Sequence, residues 1–236
     1  MRRHVVVLRR HVVVPLVLTL ALVGAACGKS GEETSRGGAT KNQPAAPMTE
    51  APVPAKVDPV ATGDAMRKLW EEHVTWTRLY VVSALSGLPD AQPTAERLLR
   101  NQDDIGAAVK PFYGDEAATK LTQLLRTHIT QAADLVKAAK AGDQAALTKA
   151  KDAWFVNADD IAAFLSQANP KNWPLDQVKA MMHTHLDQTI SETTHRLKGD
   201  HPAEIADYDA IENHILKLAD TLSTGIVAQF PDKFAA

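Results

Sequence analysis

The chain has 236 residues, 45% hydrophobic and 23% charged, which suits one ordinary soluble domain with extensions. Aromatics at 5% and only 12 glycines leave the core to Ala, Leu, Val and Ile, and favour helix over sheet. The formal net charge is −2, and it falls to about −6 without Arg2, Arg3, Arg9 and Arg10, which lie in a segment expected to be removed; no basic footprint is left, which speaks against nucleic acid as a partner.

Residues 1–26 read as a secretory signal. MRRHVVVLRRH supplies a positive start, residues 12–23 are apolar, and Gly24-Ala25-Ala26 is a small-residue cleavage site. The apolar run is short for a transmembrane span, and a retained single-pass anchor is the competing reading. Cys27 follows the site directly and is the only cysteine, so an internal disulfide is impossible. Leu22-Val-Gly-Ala-Ala-Cys27 resembles the lipobox of bacterial lipoproteins, departing from it at Gly24, where that family prefers Leu. The resemblance implies diacylation of Cys27, anchoring in the bacterial cell envelope, and a domain on the non-cytoplasmic side. Several acyl chains together hold where one does not. Ordinary cleavage with an unpaired thiol left over is the other reading.

Residues 27–60 consist largely of Gly, Ser, Thr, Ala, Pro and charge, with Pro44, Pro47, Pro52, Pro54 and Pro59 stiffening the second half. No apolar period runs through them, so they read as a flexible spacer between anchor and domain.

From residue 61 to 236 the apolar spacing is three or four, and the expectation is an all-α, antiparallel bundle of about six helices. The first helix runs from Asp64 to Ser86 with Trp70, His73, Thr77, Tyr80 and Ala84 on one face. The second opens at Pro93-Thr94 and ends near Val109, because Pro111 disfavours helix in the residue before it. The third spans Asp115 to Ala141, with Gly142 as terminator and Asp143 as the next start. A fourth helix covers residues 145–167, and a fifth begins after Trp173-Pro174 and stops at Gly199. The sixth runs from Asp200-Pro202 to Phe230.

These helices look like three copies of one hairpin. His73, His128 and His185 each stand fourteen residues ahead of a glycine, Gly87, Gly142 and Gly199. Asn101-Gln-Asp-Asp-Ile105 is echoed by Asn157-Ala-Asp-Asp-Ile161, while the third copy diverges to Ile211-Glu-Asn-His-Ile215. A lone hairpin cannot bury its stripe, so the three must pack together.

The repeated histidines are the main chemical signal. Three imidazoles brought together could bind zinc, copper or iron. The bland alternative is three satisfied core histidines, each bonded to a carbonyl or to a partner such as Asn101 or Asn157. Asn101, Asp104, Asn157 and Asp160 are the candidate polar-core residues, one acid of each Asp pair facing a neighbouring helix. Glu192-Thr-Thr-His195 has the spacing used in di-iron bundles but occurs once, where two copies are needed. His183, His195, His201 and His214 read as surface residues. Trp70, Trp154 and Trp173 read as core and hairpin-end anchors. Trp76 falls off the main stripe and would mark a contact surface if exposed.

Leu69-Trp-Glu-Glu-His-Val-Thr-Trp-Thr-Arg78, Asn101-Gln-Asp-Asp-Ile-Gly106, Lys110-Pro-Phe-Tyr-Gly114 and Gly225-Ile-Val-Ala-Gln-Phe-Pro-Asp-Lys-Phe234 resemble an uncharacterised bacterial family of all-helical lipoproteins and secreted proteins. The resemblance implies a helical fold and no particular activity. Some members carry a glycosyltransferase label, but no nucleotide-sugar fold and no metal-binding Asp-x-Asp supports it here. The expectation is a non-catalytic, envelope-anchored binding module with a protein or small-ligand partner, no cofactor being named. The alternative is a metal-binding bundle using the core histidines. Limited proteolysis of the full chain is expected to remove the spacer and leave a core that begins near Val60. Protection of residues 28–60 would show them to be structured.

Overall fold

A computed structural model describes residues 56–235; Cys27, the signal segment and nearly all of the spacer lie outside the described residues. Within them the chain is all-α: α1 (Pro59–Ser86), α2 (Ala91–Ala141), α3 (Gln144–Ala168), α4 (Leu175–Lys198) and α5 (His201–Gln229), with a 3-10 turn at Pro231–Lys233. Helix α1 opens five residues earlier than expected, because the Asp58 side chain accepts from Val60 N and Pro59 fits a first turn. Ordered contacts begin still earlier, where Val57 N donates to Lys233 O and Ala235 N to Val57 O. Among the described residues, no helix is long and apolar enough to cross a membrane.

Helix α2 has 51 residues but is not straight. Gly114 sits at φ 83°, ψ 177°, outside helical space and open to glycine alone at little cost. Beyond it the chain turns back along itself. Arg126 donates to the Leu99 carbonyl at 3.2 Å and to Asp103 at 2.9 Å. In a straight helix those 27 residues would span about 40 Å. Residues 91–113 and 115–141 are therefore two antiparallel arms, packed so closely that a Cβ on Gly106 would lie 1.8 Å from Thr122 Oγ1.

The expected break at Val109 is overturned. Pro111 lies inside the helix, which runs on through Tyr113. The reason is tertiary: Phe112 stacks on Phe234 and Tyr113 meets Phe230 edge-on and leans on Trp173. Burying two aromatic rings outweighs the local preference of a proline for a helix end.

Each arm or helix lies antiparallel to the next. The series closes into a ring when α5 returns to α1 through Arg67–Asp220 and Thr75–Tyr208. Gly142 and Gly199 end their helices in the left-handed conformation, and the following Asp143 and Asp200 accept from Ala146 N and Ala203 N. Each Gly-Asp pair thus stops one helix and starts another. The core is one apolar column with Trp70, Trp154, Trp173, Ile161, Leu186, Ile215 and Ile226 at its centre.

One close approach gives a sharp test. Trp173 donates through Nε1 to the Thr221 carbonyl at 3.1 Å and lies against Gly225, where a Cβ would come 2.1 Å from Nε1. Gly225→Ala must displace the ring, and the expected cost is about 2–4 kcal/mol from overpacking and the lost bond. Gly63→Ala is the control, since its Cβ would meet only Ser223 Oγ at 3.9 Å. A helix-interior alanine there should be neutral or stabilise by about 0.5–1 kcal/mol. Urea unfolding of both variants checks the contrast.

Candidate functional site: a buried histidine cluster

The histidine-bearing segments α1, residues 115–141 and α4 run parallel on the inside of the ring. Their ends coincide where Lys140 reaches the Ala84 carbonyl, and α1 and α4 advance together from His73–His185 to Arg78–Glu192. This brings His73, His128 and His185 together at the centre, each no more than 3% exposed. Ring centroids are 5.7 Å apart for His73–His185 and 6.2 Å for His128–His185. Trp70 packs edge-on to His73 and Trp154 leans on His128, at 5.5 and 5.1 Å.

The second helix of each hairpin holds the first by one recurring hydrogen bond. Asn101 Nδ2 donates to the Leu69 carbonyl at 3.0 Å, Asn157 Nδ2 to that of Leu124 at 3.2 Å, and His214 Nε2 to that of Met181 at 2.8 Å. Each acceptor stands one turn before a cluster histidine and already takes that histidine's backbone N–H. A carbonyl oxygen has a second lone pair, so the tie stabilises without displacing the helix bond. His214, expected at the surface, thus does in the third hairpin what asparagine does in the other two. The departure at Ile211-Glu-Asn-His-Ile215 hid it, because the donor had moved three positions along the helix and changed residue type.

The asparagines also set ring protonation. Asn157 Oδ1 lies 2.9 Å from His128 Nδ1; its amide nitrogen is already a donor, so Nδ1 carries the proton and Nε2 keeps a lone pair. Around His73 the neighbour is Gln102, whose Nε2 is 3.2 Å from Nδ1 but closer to Leu98 O and Asn101 Oδ1, at 2.8 and 3.0 Å. Among the described residues, His185 makes no ring hydrogen bond, and its buried Nδ1 has no partner. Burial in the apolar column pushes all three imidazoles down: His73 to about 3, with the His128 charge adding to it, and His128 to about 4. His185 lies well below 6.5, through burial and then its two cluster neighbours and His214. All three are neutral at pH 7. Among the described residues, as their side chains stand, no group of three or more His, Cys, Asp or Glu could hold a metal ion.

Two expected polar-core residues are not in the core. Asp104 and Asp160 are exposed, and it is Asp103 and Asp159 that meet neighbours, Arg126 for the first and Lys179 with His183 for the second. Adjacent helical residues diverge by about 100°, so once Asn101 and Asn157 point inward the residue two further on lies toward the adjoining helix and the one after faces solvent. Trp76 is half-buried beneath the Arg97 guanidinium, 5.1 Å from its ring centroid, and marks no open contact surface.

One turn or more beyond the histidines lies a charged group that the sequence pattern did not reveal. Arg78 pairs with Glu192 at 2.6 Å and Glu204 at 3.1 Å, both carboxylates only 2% exposed. Glu204 also receives Arg196 and His201. Burial raises both carboxyls, but their partners differ. Glu192, held by Arg78 alone, is pushed up to about 7. In Glu204 the bonds from His201 and Arg196 more than offset burial and hold the group below its ordinary value. His195, from the expected half of a di-iron motif, is bonded to Asp207 at 2.6 Å. Asp207-Tyr208-Asp209 does spell Asp-x-Asp, contrary to the sequence expectation, but it lies within α5, where residues two apart point to nearly opposite sides.

Open grooves mark the outside of the ring. One of about 500 Å³ has an alanine floor between residues 115–141 and α3, with Asp134, Lys137 and Lys149 on its rim. A second, of about 410 Å³, lies on the other side of Lys137, between Tyr80, Ala95 and Lys140. No family model, curated protein or solved structure matches the chain.

The neutral cluster predicts acid lability. An unfolded histidine titrates near 6.5, so below that pH the unfolded chain binds up to three protons that the folded chain refuses, and stability falls as pH drops toward 4. Glu192 works the other way and removes about one proton from the slope between 4.5 and 7. The urea midpoint should therefore climb steeply from about pH 4.5 to 6.5, with a net slope near two protons. His128→Leu should cost about 1–3 kcal/mol at pH 7 by stranding Asn157 Oδ1, and should flatten that slope by about one proton.

Proposed function

We propose that the chain is a lipid-anchored helical-bundle protein of the bacterial cell envelope, with its bundle a non-catalytic binding module held off the membrane by the 27–60 spacer. The observation that carries the non-catalytic reading is how its reactive groups are used. Asn101, Asn157 and His214 bind helix carbonyls, and His128 is spent on Asn157. His183 and His195 are spent on aspartates, and Arg78 on two buried glutamates. Each joins one helix to another. The two grooves flanking Lys137 have the size of small-ligand or peptide sites, with an apolar floor and a charged rim. They are the surface on which this reading places the partner.

The anchor rests on Cys27 and the small residues before it. In a bacterial host, Cys27→Ser is expected to accumulate as unprocessed precursor and to lose labelling by a radioactive fatty acid. Detergent-phase partitioning should fall with it. A fully processed, unlabelled wild-type protein overturns the lipoprotein reading.

A further inference from the structure

The histidine cluster carries more unspent chemistry than a structural core needs. Among the described residues, two of its six ring nitrogens have hydrogen-bond partners: His128 Nδ1 at Asn157 Oδ1 and, at 3.2 Å, His73 Nδ1 at Gln102 Nε2. His73 Nδ1 faces an amide whose two hydrogens have nearer acceptors, and His185 has no ring partner at all. Buried polar atoms ordinarily find partners, so the fully buried, unpartnered His185 Nδ1 at this point calls for a ligand.

We propose that His73, His128 and His185 form a three-nitrogen site for a single transition-metal ion, zinc or copper, at the centre of the bundle. The ligand chemistry fits, since neutral imidazole suits both ions. The protonation state fits too. These histidines have no carboxylate partner and stay neutral, so a metal need displace no proton to reach them. His128 presents a lone pair on Nε2 while Asn157 holds Nδ1–H, the outer-shell arrangement that orients a ligating histidine.

The distances from His185 to its two neighbours support closure. With metal–nitrogen bonds of about 2.0–2.1 Å and each nitrogen about 1.1 Å from its ring centre, ligands at 110–120° put ring centres roughly 5.2–5.5 Å apart. The observed 5.7 and 6.2 Å exceed this by an ångström or less. His128 and His185 are nearly parallel, at 21°, so one ring must turn. His185 is the one that can, having no ring hydrogen bond to break. The site goes beyond the binding-module reading and does not depend on the lipid anchor.

The test uses full-length protein solubilised in detergent, stripped with chelator, then titrated separately with Zn(II) and with Cu(I) under reducing conditions. The expected result is one ion per chain and a melting temperature that rises by several degrees with free metal, following linkage. The rise should persist in Cys27→Ser and in His183→Ala, whose side chains lie outside the cluster, and vanish in His185→Leu. A melt that neither ion moves overturns the proposal, as does a rise retained in His185→Leu, which would place binding on surface groups. Should His185→Leu not fold, ring nitrogen-15 NMR of the wild type decides. Metal-dependent shifts at the three cluster histidines support the site, and unshifted resonances in a metal-treated sample overturn it.

Discussion

Six helical segments bury polar atoms on their shared axis, and the pairing of some of those atoms ties one helix to the next. An unpaired amide or carbonyl in such a place costs about 1–3 kcal/mol, comparable to the gain from burying a leucine. Asn101, Asn157 and His214 meet that constraint in one way, by donating to the carbonyl one turn ahead of a cluster histidine. Each bond fixes register and rotation between two helices at once, which apolar contacts of Ala and Leu do loosely. The aromatic layer below it and the charged layer above it are both positioned by that registry.

The two layers differ in what they do to the fold. The lower one, with Phe112, Tyr113, Trp173, Phe230 and Phe234, joins the two ends of the described residues, since Phe234 pairs with Val57. It keeps α2 helical past Pro111 and seats the domain's first and last residues side by side. The upper one places a guanidinium between two buried carboxylates, and a buried pair of this kind specifies geometry more than it stabilises. Burial raises the Glu192 carboxyl against Arg78 alone, whereas His201, Arg196 and Arg78 together hold Glu204 below its ordinary value.

Neutral histidines tie stability to conditions outside the protein. A core that refuses protons is weakened when the medium acidifies. A metal on the same nitrogens would oppose this by occupying lone pairs that protons would otherwise take. Both effects would act at one cluster, so the pH slope and any metal response would be linked quantities.

Much of this was legible from residue order. Periodicity, two Gly-Asp pairs and the histidine-to-glycine spacing were enough for the all-α bundle, most helix ends and the three inward histidines, because these depend on local conformation and on which face is apolar. Asn157 as a possible partner for a core histidine was legible too, but which histidine it meets was not, and His73 turned to Gln102 and not to Asn101. Other features were decided by tertiary contact. Pro111 stayed helical because two aromatic rings downstream found a pocket; Asp103 and Asp159 met neighbours in place of Asp104 and Asp160, because the asparagine ties set the helix rotation. His214 took an asparagine's work from a position that no alignment of the motif predicts. The sequence determined which residues could lie on the axis; only packing, by bringing helices distant in the chain to within hydrogen-bond reach, decided which atoms there found partners and which remained free.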